Sequence, residues 1–293
     1  MPLAPMTLSE FAEFERRNGA RILAIGDQYW REVRPFFFQP LVLFQEFSSP
    51  AASVPFKARL GGFQHALSTH GSSNSRIDLL MFTDIPGCLA KARKSGQIKK
   101  AIKHFRIEES RDAESFAREA HPVYVDFHNR CGYGFFSERR ELSVFAEWSR
   151  VLHANGKLLI YGLRDEQGIR GVSISYLVQR TLIFASSFAD TASLKLGAPS
   201  LLLHHALEVA ASRDDVDAVF ATRRRPGKSL DDFYLCRGAV VVSKPAFLGL
   251  NPVTRALLKF AKPGEFRALV GLEDSDKVKP LADSAPQTRL ERA

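Results

Sequence analysis

The stretch KLLIYGLRDEQGIRGVSISYLVQRTLIFASSFA (157–189) contains three apolar runs that are separated by two short polar linkers. The runs are KLLIYGL (157–163), RGVSISYLV (170–178) and TLIFASSFA (181–189), and their β-branched and aromatic residues favour strands. The linkers RDEQGI and QR are short enough for hairpins. The stretch therefore predicts a three-stranded antiparallel meander.

The segments on both sides of the meander extend it to a longer order of elements. The predicted order is strand, paired helices, meander, helix, strand, helix, strand. Apart from the meander, the predicted strands cover 104–110, 216–222 and 239–244, and the predicted helices cover 112–132, 137–156, 199–212 and 229–238. Pro122 is expected to kink or divide the first of these helices, and Ser137 is expected to cap the second.

The residues before 86 predict a smaller α/β unit. TLSEFAEFERRNG (7–19) has the start and stop signals of a short helix, RILAIG and PFFFQPLVLF are typical of strands, and THGSSNS (69–75) is typical of a loop. We therefore expect a first unit at 1–85, a second at 86–250 and an extension at 251–293. The extension is polar and free of aromatic residues from about residue 274, where disorder is expected.

The net charge of +9 comes largely from one segment. Residues 1–85 carry eight basic and eight acidic side chains, whereas residues 86–106 carry seven basic and none that are acidic. Within that segment Ile98, Ala101, Ile102 and Phe105 follow helical spacing, with Lys99, Lys103 and Arg106 in a separate stripe, which predicts an amphipathic basic helix. Lys99 and Lys103 either face water between two domains or meet a polyanion such as RNA, a phospholipid surface or a cofactor phosphate.

The cysteines and histidines do not suggest a metal site. Cys88, Cys131 and Cys236 are far apart and odd in number, which favours reduced thiols in a cytoplasm. The eight histidines show no metal-ligand spacing. The chain has no apolar run that would span a bilayer, and its opening residues lack a secretory signal, so an intracellular, cytoplasmic protein is expected.

The stretch LKLGAPSLLLHHA (194–206) permits two interpretations. Pro199 suits the first turn of a helix, so the stretch could be an ordinary helix start. Alternatively, the free amides of a helix start, close approach at Gly197 and the charge of Lys195 could hold a phosphate. His204 and His205 would point about 100° apart, which favours packing over a catalytic pair.

The order of elements resembles that of the GNAT N-acyltransferase superfamily. DDFYLCRGAVVV (231–242) resembles the closing pattern of that superfamily, and GQIKKAIKHFRIEES (96–110) resembles the segment leading into the second half of FemAB-type transferases. The resemblance covers roughly residues 86–245. It implies an α/β (α+β) fold with a mixed sheet, an antiparallel meander flanked by helices, and a smaller preceding unit that is a reduced first half.

The resemblance also implies a set of site residues. Backbone amides around Ser186, Ser187 and Phe188 would stabilise the oxyanion, and Tyr234 would protonate the leaving group. The cofactor pyrophosphate would lie at Lys195, Gly197, Ala198 and Ser200. KLGAPS is shorter than the usual superfamily pattern and contains Pro199, which is closer to FemAB-type chains than to acetyl-CoA enzymes.

The implied reaction moves an acyl or aminoacyl group to an amine. The donor would be acyl-CoA or aminoacyl-tRNA, without a metal, and the acceptor a small-molecule amine or an envelope precursor. No general base is evident, because the middle strand offers Ser173 and Ser175 where many relatives carry a carboxylate. Candidates for the base are Asp231, Asp232 and Tyr176, and water could also take the proton.

RRRPGK (223–228) is either a solvated turn or a second anion-binding loop. In the second case Arg223, Arg224 and Arg225 would hold an acidic acceptor, a carrier-protein helix or tRNA phosphates. Two further functions stay open. One is an inactive module that binds RNA or the surface of an anionic membrane, and the other is a scaffold subunit of an envelope pathway.

Overall fold

Twelve strands of the described residues form one continuous sheet with helices on both faces. The computed structural model describes residues 4–50, 53–69, 71–132, 136–224 and 229–271. The strands are β1 (Ile22–Ile25), β2 (Gln28–Arg34), β3 (Phe37–Pro40), β4 (Glu46–Phe47), β5 (Gly62–Leu67), β6 (Ser75–Phe82), β7 (Arg106–Glu109), β8 (Leu158–Asp165), β9 (Gly168–Val178), β10 (Thr181–Ala189), β11 (Ala218–Arg223) and β12 (Val240–Leu250). Their order in the sheet is β1-β2-β3-β5-β12-β6-β11-β10-β9-β8-β7, and β4 pairs with β5.

Ten α-helices and two short 3₁₀ turns accompany the strands in this part of the chain. The helices are α1 (Leu8–Arg17), α2 (Ile85–Ala92), α3 (Gly96–His104), α4 (Ala113–Cys131), α5 (Leu142–His153), α6 (Thr191–Leu194), α7 (Ala198–Ala211), α8 (Ser229–Leu235), α9 (Pro252–Ala261) and α10 (Pro263–Val270). The 3₁₀ turns are Phe56–Arg59 and Ser137–Arg140.

The predicted meander is confirmed as β8, β9 and β10, which pair in antiparallel fashion along their lengths. β10 then pairs with β11 in parallel, but only over Thr181–Ile183 and Ala218–Phe220. The register of β10 against β9 shifts between Phe184 and Ser186, and an irregularity of this kind bends a strand. β10 therefore separates from β11 beyond Ile183. The predicted mixed sheet with an antiparallel meander flanked by helices is confirmed.

β6, from the first 85 residues, pairs with two strands from the later part of the chain. It lies between β11 and β12 and pairs with both in antiparallel fashion. The expected unit boundary near residue 85 lies directly after β6. Both strands that pair with β6 come from residues after that boundary. The sheet is continuous across it, and the division into units stays a prediction.

The two faces of the sheet carry separate cores. On one face α1, α4 and α5 bury a cluster that includes Phe116, Phe145 and Tyr176. On the other face α2, α7 and α8 bury a cluster that includes Phe82 and Leu203. α3 adds a third cluster beside α7. The second face is therefore the one on which the predicted cofactor turn at the start of α7 lies.

Three local expectations differ from the structure. The basic segment forms two helices, α2 and α3, because the chain leaves the helical path before Gly96, a weak helix former. α4 continues through Pro122 without dividing, since the tertiary packing of a helix face outweighs a single breaker. Ser137 begins a 3₁₀ turn, and α5 starts after Glu141. The tail from about residue 274 lies outside the described residues.

Candidate functional site

The turn that begins α7 is covered by α3. Gly197 is the N-cap of α7 and has φ of +87°, a conformation that favours glycine. A Cβ atom at this position would lie 2.6 Å from the carbonyl oxygen of Gln97, so the two backbones approach closely. Gly197, Ala198 and Ser200 are all buried. The predicted cofactor turn is therefore packed against a neighbouring helix.

Most backbone donors at this turn already have partners. The Gly197 N–H donates to the carbonyl oxygen of Leu194 at 3.1 Å, and the N–H groups of Ser200 and Leu201 both donate to that of Gly197 at 3.0 and 3.2 Å. Pro199 has no N–H to offer. The expectation that the amides of Gly197 to Ser200 are open to an anion is corrected for Gly197 and Ser200, whose N–H groups are bonded within the turn itself while α3 packs against Gly197.

Side chains take the place of the amides as donors. Ser200 Oγ donates to Gln97 Oε1 at 2.9 Å. Arg237 Nη2 lies 2.7 Å from Gln97 Oε1 and 2.6 Å from Ser200 Oγ. The Arg237 guanidinium lies 3.8 Å from the centroid of the Phe233 ring, and Nη1 donates to the carbonyl oxygen of Phe233 at 2.7 Å. Burial lowers the pKa of Arg237, but a guanidinium stays charged in proteins. The start of α7 therefore has a cationic side-chain cluster.

A cleft of about 650 Å³ opens beside this cluster, between the α2–α3 connection, α7 and the end of α8. Leu203 and Leu207 form part of its wall, and its polar lining includes Lys91, Ser95 and His204. Among the described residues that line it none is a carboxylate. An anionic or acyl-bearing ligand would meet no repulsion from these walls.

His204 is the buried polar group of the cleft. Its side chain is 6% exposed, and Nδ1 is buried without a hydrogen-bond partner in the described structure. Nε2 lies 3.3 Å from Glu208 Oε1. His205 turns away and meets the Tyr161 ring edge-on at 4.4 Å between centroids. The two histidines diverge as their adjacent positions on a helix require.

Tyr234 lies in the core next to the cleft. The residue is 7% exposed and packs against Phe82 and Phe233, with ring centroids at 6.4 and 5.1 Å. Burial raises the pKa of Tyr234 to about 12. The residues that line the cleft include Cys236 and Arg237 but not Tyr234 itself. At neutral pH the phenol keeps its proton.

The predicted oxyanion strand lies where β10 separates from β11. Ser186 and Ser187 are half-buried, and Phe188 is buried against Tyr124 and Phe127 at centroid distances of 5.4 and 6.1 Å. Beyond Ile183 the recorded register pairs β10 with β9 alone. Beyond Ile183, the edge of β10 that faces β11 does not pair with that strand.

The predicted cationic residues are dispersed. Lys195 is exposed, and its carbonyl oxygen accepts from Lys100 Nζ at 3.0 Å. Lys99 and Lys103 are exposed on α3. Arg223 and Arg224 are half-buried at the end of β11, while Arg225 lies outside the described residues. No shared anion site forms from these side chains in the part of the chain described.

The base candidates differ in their surroundings. Tyr176 is buried beside Glu15, and burial raises its pKa well above the ordinary value. Ser173, Ser175 and Asp231 are buried, and Asp232 is exposed. None of the three base candidates lines the cleft, and neither does Ser173 or Ser175 of the middle strand. The described residues contain no cluster of His, Cys, Asp or Glu suited to a metal, and none of their helices is long and apolar enough to cross a membrane.

A second cleft, of about 580 Å³, lies between α4 and the β8–β9 turn. Several of its charged side chains have charged or hydrogen-bonding partners nearby. Arg170 bonds Asp165 at 2.8 Å and Asp190 at 3.2 Å, and Asp126 accepts from the N–H of Thr191 at 2.6 Å.

The sequence did not predict that three residues would line the cleft. These residues are Gln97, His204 and Arg237. Gln97 and Arg237 meet at Ser200 although 140 residues separate them in the chain. The basic residue before the glycine in DDFYLCRG was the one available signal for Arg237. Only the packing of α3 and α8 around α7 brings the three together.

Comparisons with solved structures agree with this architecture. The chain is similar to a C-terminal domain (DUF2156) assigned to a lysylphosphatidylglycerol synthetase from Agrobacterium fabrum, with a TM-score of 0.57, 9% identity and coverage of 90% of this chain and 93% of that one. L-PGS from Bacillus licheniformis gives a TM-score of 0.57 at 13% identity over 90% and 92% of the chains. FemX gives 0.54 at 10% identity over 85% and 92%.

These likenesses establish the fold. The sequence itself matches no protein-family model and no curated protein. The sheet with its meander and flanking helices is the fold that these three structures share.

Proposed function

We propose that this protein is a FemAB-like transferase that moves an acyl or aminoacyl group from a donor to an amine. The observation that carries the proposal is the acid-free cleft that ends at Ser200 and Arg237, beside the start of α7. FemX, L-PGS and the domain assigned to a lysylphosphatidylglycerol synthetase support it as neighbours in fold, and the name of that synthetase describes an aminoacylated lipid. Function inferred from fold alone is an analogy, so the cleft is the stronger support.

The proposed step is direct attack. The amine nitrogen forms a bond to the donor carbonyl carbon, and the tetrahedral oxyanion accepts hydrogen bonds from β10 amides around Ser186, Ser187 and Phe188. The carbonyl then re-forms as the bond to the leaving oxygen or sulfur breaks, and the leaving group takes a proton from Tyr234. The nitrogen loses its proton to water, from which the Tyr234 phenolate is reprotonated.

The pKa of Tyr234 favours an ester donor over a thioester. A phenol whose pKa burial raises to about 12 is a weaker acid than an ordinary thiol, so proton transfer to a thiolate leaving group would be unfavourable. A sugar alkoxide is a much stronger base and would accept the proton readily. We therefore favour aminoacyl-tRNA over acyl-CoA as the donor.

The surroundings of the cleft support the same donor. A pyrophosphate at Lys195, Gly197, Ala198 and Ser200 would have to displace α3, whereas a polyanion could use the exposed Lys99 and Lys103 on that helix. Arg223 and Arg224, at the end of β11, would offer further positive charge. Donor entry would require the Gln97 carboxamide to release Ser200 and Arg237, which are then free for a phosphate or carbonyl oxygen. The acceptor would be an amine or an envelope precursor met on the cytoplasmic side.

A second candidate is an anion-binding module that keeps the fold without turnover. It is favoured by the covered turn and by the buried position of Tyr234. Such a module would bind RNA through α3 with a steep salt dependence. A scaffold role in an envelope pathway would predict neither turnover nor RNA binding.

The test measures transfer of a labelled group from a mixed aminoacyl-tRNA pool, or from acyl-CoAs, to a panel of amines and amino-bearing envelope precursors. We expect product from aminoacyl-tRNA and a rate at least about a hundredfold lower for Tyr234→Phe, the size typical of a lost general acid. Tyr161→Phe is the matched control, because Tyr161 packs against the same core and should keep its rate within about twofold.

Three outcomes would contradict the assignment. Equal rates for Tyr234→Phe and Tyr161→Phe would remove Tyr234 from the mechanism. Product from acyl-CoA alone would exclude the tRNA donor. tRNA binding that Lys99→Glu abolishes, without any product, would favour the binding module instead.

A further inference from the structure

Helix α9 presents an apolar face that nothing in the described structure covers. Val253, Leu257 and Phe260 are 67%, 62% and 87% exposed, and their spacing of four and three residues puts them on one face. No residue of α9 is buried. Helices of soluble domains normally turn such a face toward the core, so this face points to an external partner.

A neighbouring segment adds to the same surface. Phe56 and Leu60 are 74% and 59% exposed, and they lie in and directly after the 3₁₀ turn Phe56–Arg59. Asn251 ties this segment to the start of α9, because its N–H donates to the Gly61 carbonyl oxygen at 3.0 Å and Nδ2 donates to that of Arg59 at 3.1 Å. We call Phe56, Leu60, Val253, Leu257 and Phe260 the apolar patch. Large exposed apolar side chains in adjacent segments mark interaction surfaces.

The segments that carry the apolar patch are uniformly basic. Residues 53–62 and 252–262 contain no Asp or Glu, and they carry Lys57, Arg59, Arg255, Lys259 and Lys262. All five of these residues are exposed. Glu265, in the next helix, pairs with Lys262 at 3.4 Å. A partner of this surface must accept apolar side chains and positive charge together.

The positive charge around the apolar patch distinguishes between three possible partners. A second copy of the chain in a two-fold interface would bring the same cations against one another. Residues 272–293 carry nine charged side chains of mixed sign and no aromatic ring, so they offer few groups to fill an apolar surface. A bilayer with anionic headgroups satisfies both requirements. Phenylalanine and leucine side chains can insert below the level of the phosphates, and the phosphates attract lysine and arginine side chains.

We propose that the apolar patch docks this protein onto a bilayer that contains anionic phospholipid, with α9 lying in the plane of the interface. The long stems of Lys259 and Arg255 would extend along the helix so that their charges reach the headgroups. This membrane contact is separate from the predicted polyanion-binding face of α3, which carries Lys99 and Lys103. It does not depend on the transferase proposal.

The test is flotation of the full-length protein with vesicles of phosphatidylcholine alone or of phosphatidylcholine mixed with phosphatidylglycerol. We expect binding to the mixed vesicles only, and at least about a tenfold loss of binding in the double variant Leu257→Ser, Phe260→Ser. Lys259→Glu with Arg255→Glu should weaken binding as well, more strongly at low salt. Since these side chains are exposed, the variants should fold, which circular dichroism checks.

Matched controls use exposed apolar residues elsewhere. Ile102→Ser on α3 and Leu142→Ser on α5 remove side chains that are 59% and 53% exposed and should leave flotation unchanged. Phe260→Trp should report insertion as a blue shift of its emission on mixed vesicles.

The proposal is overturned by any of three results. The wild-type protein could fail to float with the mixed vesicles. Ile102→Ser could abolish flotation while the α9 double variant keeps it, which would assign the contact to α3. Sedimentation could detect a dimer that the α9 double variant dissociates, with no vesicle binding, which would assign the patch to a second copy.

Discussion

Glu15 is a carboxylate that α1 carries into the core between helix and sheet. Its Oε2 lies 3.1 Å from Arg31 Nη1, and its side chain is 10% exposed. Burial raises the pKa of Glu15 above its ordinary value, although Arg31 acts in the opposite direction. The charged form therefore costs stability in the folded protein.

We expect Glu15→Gln to stabilise the protein at neutral pH. Because the folded pKa is raised, the carboxyl group of the wild type is a stabilising group only while it is protonated, and this contribution is lost as pH rises from about 4.5 through the folded pKa. The neutral amide avoids that loss. Urea unfolding should be measured for the wild type and Glu15→Gln between pH 4 and pH 8. The two proteins should have equal free energies of unfolding at pH 4, and the variant should be the more stable at higher pH.

A variant that is less stable than the wild type at pH 8 would show that the Arg31 pair outweighs the cost of burial. Glu13→Gln is the control on the same helix. Its side chain is 53% exposed and pairs with arginines at the surface, where a pair contributes up to about 1 kcal/mol.

At the scale of elements, α3 decides whether the start of α7 is accessible. Ile98 and Ala101 pack into the cluster that holds Ala198 and Leu201, whereas Ile102 on the same helix is exposed. Phe105 closes the end of this contact. The helix therefore lies over the turn by burying one apolar stripe.

Ile98→Ala should loosen that contact at a cost of about 2–5 kcal/mol, the usual range for a truncated core isoleucine. Ile102→Ala removes the same atoms from the surface and should cost less than about 0.5 kcal/mol. Thermal unfolding of both variants measures the difference. Hydrogen exchange at Ala198 should accelerate in Ile98→Ala alone, and similar costs for the two variants would contradict the packing of α3 on α7.

At the scale of the whole molecule, β6 links the early and late parts of the chain through its pairing with β11 and β12. Leu80 on this strand is fully buried, and it lies opposite Thr222 of β11 and Val241 of β12. The strand thus connects the sheet of the first 85 residues to strands that the chain reaches more than 130 residues later. A continuous ladder of hydrogen bonds favours cooperative unfolding.

We expect calorimetry to record one unfolding transition for the full-length protein. Leu80→Ala should shift that entire transition to lower temperature, with a loss of about 2–5 kcal/mol. Leu23→Ala, on edge strand β1 and 38% exposed, should have little effect. Two separate transitions, of which Leu80→Ala moves only one, would instead support independent units divided near residue 85.

Patterns local in the chain were predictable from the sequence. The alternation and short linkers of residues 157–189 determined the meander, since hairpins depend on neighbouring residues alone. Thr7 and Glu10 form the capping box that starts α1, and Pro199 lies in the first turn of α7 as expected. The fold class followed from the order of such elements.

Tertiary structure alone decided the arrangement of the candidate site. Gln97, Ser200 and Arg237 converge because α3 and α8 pack on α7, and no periodicity in the sequence encodes that contact. The covered turn at Gly197, the burial of Tyr234 and the exposed face of α9 have the same origin. Local signals determine which elements form, because they depend on near neighbours. Burial and access depend on which distant faces meet, and that is settled by packing of the whole chain.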